Sequence, residues 1–166
     1  MNKLSVLIIV QLFLMSVFAL GQNGKKLPSV VLKTEDNKTF NSSNFLQNDG
    51  PVLICLWETT CKPSVDLLDV LSENYDDWYE TIRFKIVAVS VEDTRTSAKA
   101  PLFANGREWD FEIFLDVNQD FKRALNASIC PNIYLLDTNG NIVWEKTSYV
   151  PGDENLILQQ LKELKK

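Results

Sequence analysis

The residues best able to do chemistry stand at a junction in the stretch VLICLWETTCKPSVDLLDVL, residues 52–71. An apolar run ends at Trp57. Cys61, Lys62, Pro63 and Ser64 follow, and then apolar residues recur at the helical period. This order puts Cys61 in the first turn of a helix, where free backbone N–H groups and the macrodipole favour an anion. The thiolate is the nucleophilic form of cysteine, so such a position raises the reactive fraction at neutral pH, and Lys62 adds a positive charge beside it. Proline at position 63 suits a first turn, because its missing N–H has no partner there in any case. Ser64 limits the chemistry. A hydroxyl cannot attack a mixed disulfide, so the Cys61-x-x-Ser64 pair can form a mixed disulfide by attacking a partner's disulfide and cannot close a local one. The hydroxyl can still hydrogen-bond a Cys61 thiolate. The competing reading of Cys61 is a buried, inert thiol.

The remaining inventory excludes a great deal. The chain of 166 residues has no histidine. Ser-His-Asp and Cys-His catalytic arrangements are therefore ruled out, as are His-ligated zinc, copper and haem. A metal site built on Cys55, Cys61 and Cys130 would need a carboxylate and favourable geometry, and neither a metal nor another cofactor is expected. Cys55 lies on the apolar run before Cys61, and its even spacing from Cys61 keeps both on one side of a strand. It reads as a small core hydrophobe.

Lys3 is followed by LSVLIIVQLFLMSVFAL and then Gly21. A basic start, an apolar stretch and small residues at its end are the marks of a secretory signal peptide, with cleavage expected before Gln22. The apolar run is shorter than a spanning helix needs, and the alternative is an uncleaved anchor. No cysteine stands near the cleavage region, so a lipid-modified N-terminus is not expected. The expected organisation is a signal peptide over 1–21 and one domain over 22–166. Of 17 basic and 22 acidic residues only Lys3 is lost with the signal, leaving a formal charge of 16 − 22 = −6. A chain so charged, with its basic residues scattered, is repelled by nucleic acid and by anionic membranes.

The elements around the junction follow from periodicity. LPSVVLKTEDNKTFNSSNF reads as two short strands about a polar turn. PVLICLW and FKIVAVSVE are continuous apolar runs, the pattern of strands covered on both faces. Between them, Val65, Leu68, Leu71, Tyr75 and Trp78 predict a helix from Pro63 to about Tyr79. TRTSAKAPLFANGREW predicts a helix interrupted by Pro101 and closed near Gly106. FEIFLD is a strand, and VNQDFKRALN a helix with Asp116 as cap. NIYLLDTNGNIVWEK places two alternating runs about Asn139-Gly140, a hairpin signal. Leu156, Leu158, Leu161 and Leu164 predict an amphipathic C-terminal helix. Alternating strands and helices imply an α/β fold with a mainly parallel sheet covered on both faces, the hairpin adding antiparallel strands at one edge.

With these elements in place, the Trp57-x-x-x-Cys61-x-Pro63-x pattern at a strand-to-helix junction resembles the TlpA-like branch of the thioredoxin superfamily, which includes secreted thiol–disulfide oxidoreductases. A second landmark has the same resemblance: SICPNIYLLDTNGNIVW, with Pro131 in the place of the family's cis-proline, followed by a strand, an Asp-x-x-Gly hairpin and a strand. The resemblance implies a thioredoxin-like fold with a central mixed β-sheet and helices on both faces. It implies a periplasmic or cell-envelope location, and protein thiols or disulfides, or a small thiol such as glutathione, as partners. It also implies that Cys130, before the cis-proline, lies against Cys61. The pair would then be a displaced resolving couple, a fixed structural disulfide, or two free thiols that pack.

The departures from the pattern matter as much. Ser64 stands where the family has its resolving cysteine, and Cys55 where thioredoxins proper have a buried acid. Glu58 either replaces that acid or is a solvated loop charge. Trp57 is expected to pack beside the site and shield it, while Trp78, Trp109 and Trp144 read as core or groove aromatics. The peroxiredoxin pattern Pro-x-x-x-Thr-x-x-Cys would need proline and threonine where this chain has Ile54 and Glu58, which disfavours peroxide reduction. Two function classes remain. One is an oxidoreductase acting through Cys61, with or without Cys130, supported by Trp57, Lys62, Pro63, Ser64 and Pro131. The other is a binding or scaffold domain that keeps the fold without turnover.

Overall fold

The computed structural model describes residues 24–47 and 50–165. The expected signal peptide lies outside the described residues. None of the described helices is long and apolar enough to cross a membrane.

Seven strands form one sheet: β1 (Val31–Thr34), β2 (Thr39–Asn41), β3 (Val52–Trp57), β4 (Lys85–Ser90), β5 (Glu112–Leu115), β6 (Asn132–Leu136) and β7 (Ile142–Thr147). Their spatial order is β2-β1-β5-β4-β3-β6-β7. Four helices cover it: α1 (Lys62–Thr81), α2 (Lys99–Gly106), α3 (Asp120–Ala124) and α4 (Glu154–Leu164). The architecture is thioredoxin-like, as the resemblance implied.

β3 lies at the heart of this arrangement. Every one of its residues is buried, because helices cover both faces of the sheet. Leu53, Cys55 and Trp57 point into the layer filled by α1, α2 and α4. Val52, Ile54 and Leu56 point into the opposite layer, with Phe45, Phe121 and Leu125. Each such aliphatic side chain contributes about 1.5–3 kcal/mol by leaving water, which anchors the strand that delivers Cys61.

Only the β3–β4 and β4–β5 pairs are parallel. The sheet is therefore less parallel than alternation suggests: β6–β7 adds antiparallel strands beside β3, and β1–β2 does the same at the other edge, beside β5. Three local expectations are corrected. Pro101 sits in the first turn of α2 and does not interrupt it, since a first-turn residue has no intrahelical N–H bond to lose. The helix expected over VNQDFKRALN is confined to Asp120–Ala124, because Gln119 takes a left-handed backbone at φ 56°. In α4 Ile157 and Leu161 are buried and Leu158 and Leu164 pack partly buried against the same layer, so of the four expected leucines Leu156 alone is exposed.

Asp116 does cap α3, from outside the helix. Its carboxylate accepts the Phe121 N–H at 3.1 Å and the Lys122 N–H at 2.8 Å. The β6–β7 turn uses the expected glycine: Gly140 has φ +78°, and its missing Cβ leaves room for Leu46.

Candidate functional site

Cys61 is the N-cap of α1, one residue ahead of the first helical turn. Trp57 ends β3, and the short loop between them turns back on itself. The Cys61 N–H donates to the Glu58 carbonyl at 3.0 Å, while the Cys61 carbonyl accepts the Ser64 and Val65 N–H groups at 3.0 and 3.2 Å. The backbone thus presents the half-buried Cys61 side chain at the helix N-terminus.

The partner comes from far along the chain. Cys61 and Cys130, 69 positions apart in sequence, form a disulfide with Cα atoms 6.4 Å apart. Cys130 precedes Pro131 in a cis peptide bond. Pro131 is buried, and its carbonyl accepts the Ser148 N–H at 2.8 Å, which ties the segment to the chain leaving β7. Both cysteines retain partial exposure, and Ile129 beside them is 56% exposed.

The flanking residues divide by contact. Ser64 is fully buried, and its hydroxyl donates to the Cys61 carbonyl at 2.8 Å, so it braces the turn by way of the backbone. Lys62 is exposed and pairs with Asp66 at 2.6 Å, so the charge it brings near Cys61 is offset one helical turn away. Pro63 is exposed at the second helical position. Trp57 is wholly buried, packed edge-on against Trp109 at 5.1 Å and near Phe103 at 6.0 Å. Trp109 donates its indole N–H to Asp69 on α1 at 2.9 Å, and Trp78 is buried in the same layer. Trp144 packs half-buried against that layer from β7.

Cys55 is a buried free thiol in the core layer that holds Trp57. Burial pushes its pKa up to about 12, so it stays protonated and inert at neutral pH. Glu58 is partly exposed and lies 3.5 Å from the Lys122 ammonium, as a paired loop charge.

The acid that the sequence reading passed over is Glu92. It is 6% exposed, just beyond the end of β4. Its Oε1 accepts the Thr59 N–H at 2.8 Å and also the Thr59 hydroxyl, which ties β4 to the loop carrying Cys61. The signal was present in the pattern: β3 and β4 pair in parallel with Trp57 opposite Ser90, so a side chain two residues past Ser90 stands level with Thr59. Among the described residues, no group of three or more His, Cys, Asp or Glu side chains is arranged to hold a metal ion.

Comparison with known proteins bears on the same region. The chain is similar to an uncharacterized thioredoxin-like protein from Porphyromonas gingivalis, with 36% identity over 86% of this chain and 94% of the other and a TM-score of 0.74. It shares its fold with a candidate thiol:disulfide interchange protein DsbE from Chlorobium tepidum, at 20% identity over 85% and 96% of the two chains and a TM-score of 0.73. It also shares it with an exposed lipoprotein thioredoxin from Streptococcus pneumoniae, at 18% identity over 82% and 100% and a TM-score of 0.62. No curated protein matches the sequence. The profile of the AhpC/TSA family matches residues 23–145. A disulfide at the N-terminus of α1, held under a cis-proline in a thioredoxin-like sheet, agrees with these matches: the chain belongs to the AhpC/TSA family, within the thioredoxin superfamily.

Proposed function

We propose that this protein is a secreted, TlpA-like thiol–disulfide oxidoreductase in which Cys61 is the nucleophile and Cys130 is the displaced resolving thiol. The observation that carries this reading is the Cys61–Cys130 disulfide at a helix N-terminus, with both cysteines partly exposed. Acting as a reductant, the Cys61 thiolate attacks a substrate disulfide, forms a mixed disulfide and expels one substrate thiolate. The Cys130 thiolate then attacks the Cys61 sulfur. This releases the second substrate thiolate and leaves Cys61–Cys130 oxidised. Two electrons pass from the protein dithiol to the substrate disulfide, and the reverse sequence oxidises a substrate dithiol. Trp57, Lys62, Pro63, Ser64 and Pro131 support the site without exchanging electrons. The substrates are protein thiols or disulfides, or a small thiol such as glutathione. Ile54 and Glu58, where a peroxidatic pattern needs proline and threonine, argue against peroxide reduction.

The mature domain is 22–166, following a signal peptide over 1–21, and the location is the periplasm or cell envelope. The apolar N-terminal segment and the exposed lipoprotein among the structural relatives support this placement. A second reading is a binding or scaffold domain with a structural disulfide. It is favoured by Ser64 and by Cys55, which stand where a resolving thiol and a buried acid would complete the usual centre.

Equilibration of the purified protein in glutathione buffers separates the two readings. A midpoint between about −120 and −270 mV is expected for a working couple, whereas one below about −300 mV marks a structural staple and rejects the enzyme reading.

A further inference from the structure

Among the described residues, three buried side-chain polar atoms have no hydrogen-bond partner: Trp57 Nε1, Ser90 Oγ and Glu92 Oε2. Trp57 and Ser90 are paired at the C-terminal ends of β3 and β4, and Glu92 lies two residues further on. The acid is the costly member of the set. At 6% exposure and with one oxygen unpartnered, it loses hydration that its single engaged oxygen only partly replaces. Groups that break the rule of satisfied burial collect where a site has to be held in place.

What Glu92 holds is the loop that carries Cys61. Its Oε1 accepts the Thr59 N–H at 2.8 Å and also the Thr59 hydroxyl. The other bonds of this loop are mostly internal. Those among Glu58, Cys61 and Ser64 link the loop to the start of α1, and the two move as one body. Bonds to other elements fix that body in the fold: the pair from Thr59 to Glu92, and the partly solvated contact of Glu58 with Lys122 at 3.5 Å. The local strand order is β4-β3-β6. Glu92, just past β4, therefore stands on one side of the loop that ends β3, and Cys130, just ahead of β6, on the other.

We propose that Glu92 is a positioning residue for the Cys61–Cys130 couple: through Thr59 it orders the loop, and so raises the effective concentration of the Cys61 thiol at Cys130. With the loop already ordered, the disulfide closes without that entropic cost. Loss of the tether frees the loop in the dithiol form, whereas the disulfide still restrains it in the oxidised form. The equilibrium then moves toward the dithiol. The proposal rests on the couple in the reading above and not on its turnover.

Wild type and variants are equilibrated with reduced and oxidised glutathione, quenched in acid and resolved by mass spectrometry. In this exchange the protein dithiol gives up two electrons and two protons, and one oxidised glutathione becomes two reduced ones. The ratio of disulfide to dithiol protein gives the equilibrium constant. Glu92→Ala is expected to lower that constant about tenfold, or about 30 mV for a two-electron couple, the size of one hydrogen bond to a charged group. Glu92→Gln keeps an oxygen that accepts the Thr59 donors, and is expected to hold the constant within about twofold of wild type. Thr59→Val keeps the acid and the N–H but loses the hydroxyl, and is expected to lower it about threefold. Leu32→Val trims a buried side chain on β1, which β5 and β4 separate from β3, and reports general destabilisation. It is expected to leave the constant unchanged. An unchanged constant in Glu92→Ala, an equal shift in Leu32→Val, or a shift in Glu92→Gln as large as in Glu92→Ala overturns the proposal. If Glu92→Ala does not fold, Thr59→Val decides, and an unchanged constant there overturns it. If the wild-type bond resists glutathione, the oxidoreductase reading fails on its midpoint, and the same comparison in dithiothreitol buffers still decides the role of Glu92.

Discussion

Cys61, the N-cap of α1, and Cys130, the residue before cis-Pro131, are joined by a disulfide that spans 69 positions of sequence. The bond ties the start of the main helix to the segment entering β6. In the chain-entropy picture, closing a loop of that length contributes about 4 kcal/mol to stability. The same pair can be a redox couple and a staple, and the experiments below separate those roles.

Thiol counting on protein denatured without reductant is expected to find a single free thiol, that of Cys55. Reduction before denaturation raises the count to all three cysteines of the chain. Three thiols in the air-oxidised protein would remove both the redox couple and the staple.

Cys130→Ala leaves Cys61 without its resolving partner. Incubation of the reduced variant with an oxidised protein substrate is expected to accumulate a mixed disulfide through Cys61, visible as a dithiothreitol-sensitive band on a non-reducing gel. Wild type should show little of it. Rapid release of reduced substrate by the variant would assign resolution to something other than Cys130.

Ser64→Ala removes a buried hydroxyl that donates to the Cys61 carbonyl and is within 3.4 Å of the Glu58 N–H. The variant is expected to lose about 1 kcal/mol of stability in urea melts, the worth of one intramolecular hydrogen bond, because the methyl group leaves the carbonyl with its two backbone donors. The Cys61–Cys130 couple should still form. Failure of the disulfide to form would show that Ser64 acts on the sulfur chemistry itself.

Cys55 gives a pH dependence with a definite sign. Burial raises its pKa from 9.0 to about 12 in the folded protein. Above pH 9 the unfolded chain loses this proton while the folded chain keeps it, so the unfolded state binds fewer protons and stability falls as pH rises. The contribution is fully present below pH 9 and declines towards 12, by roughly 1 kcal/mol per pH unit for one proton. Buried Tyr134, raised by burial and then by Glu145, adds to the same slope. Urea melts between pH 7 and 10 are expected to show the decline, and Cys55→Ala to flatten it. Alkylation of Cys55 by iodoacetamide in the native protein at pH 9 would contradict the burial.

Much of this protein follows from local rules alone. The buried runs of β3 and β4, the helical spacing of Val65, Leu68 and Leu71, and the Asn139-Gly140 turn are each determined within a few residues. They emerge because burial on two faces, helical periodicity and turn chemistry act over short distances along the chain. Cys61 at a helix start is legible for the same reason. The Cys61–Cys130 juxtaposition was legible only by resemblance to a family, since no local pattern joins the N-cap of α1 to the residue before cis-Pro131.

What the tertiary structure decided depends on register and edge. The β1–β2 hairpin attaches antiparallel to β5 because strand pairing is a long-range choice that period-2 patterns leave open. Glu92 closes the FKIVAVSVE run in the sequence, and the parallel pairing of β3 with β4 sets it level with Thr59. Which leucines of α4 face inward depended on the angle at which the helix lies on the sheet, and that angle buried Ile157 while leaving Leu156 in solvent. Side-chain partners across strands are fixed by packing in three dimensions. A sequence records the chemistry each residue can offer, and folding decides which other residue is near enough to receive it.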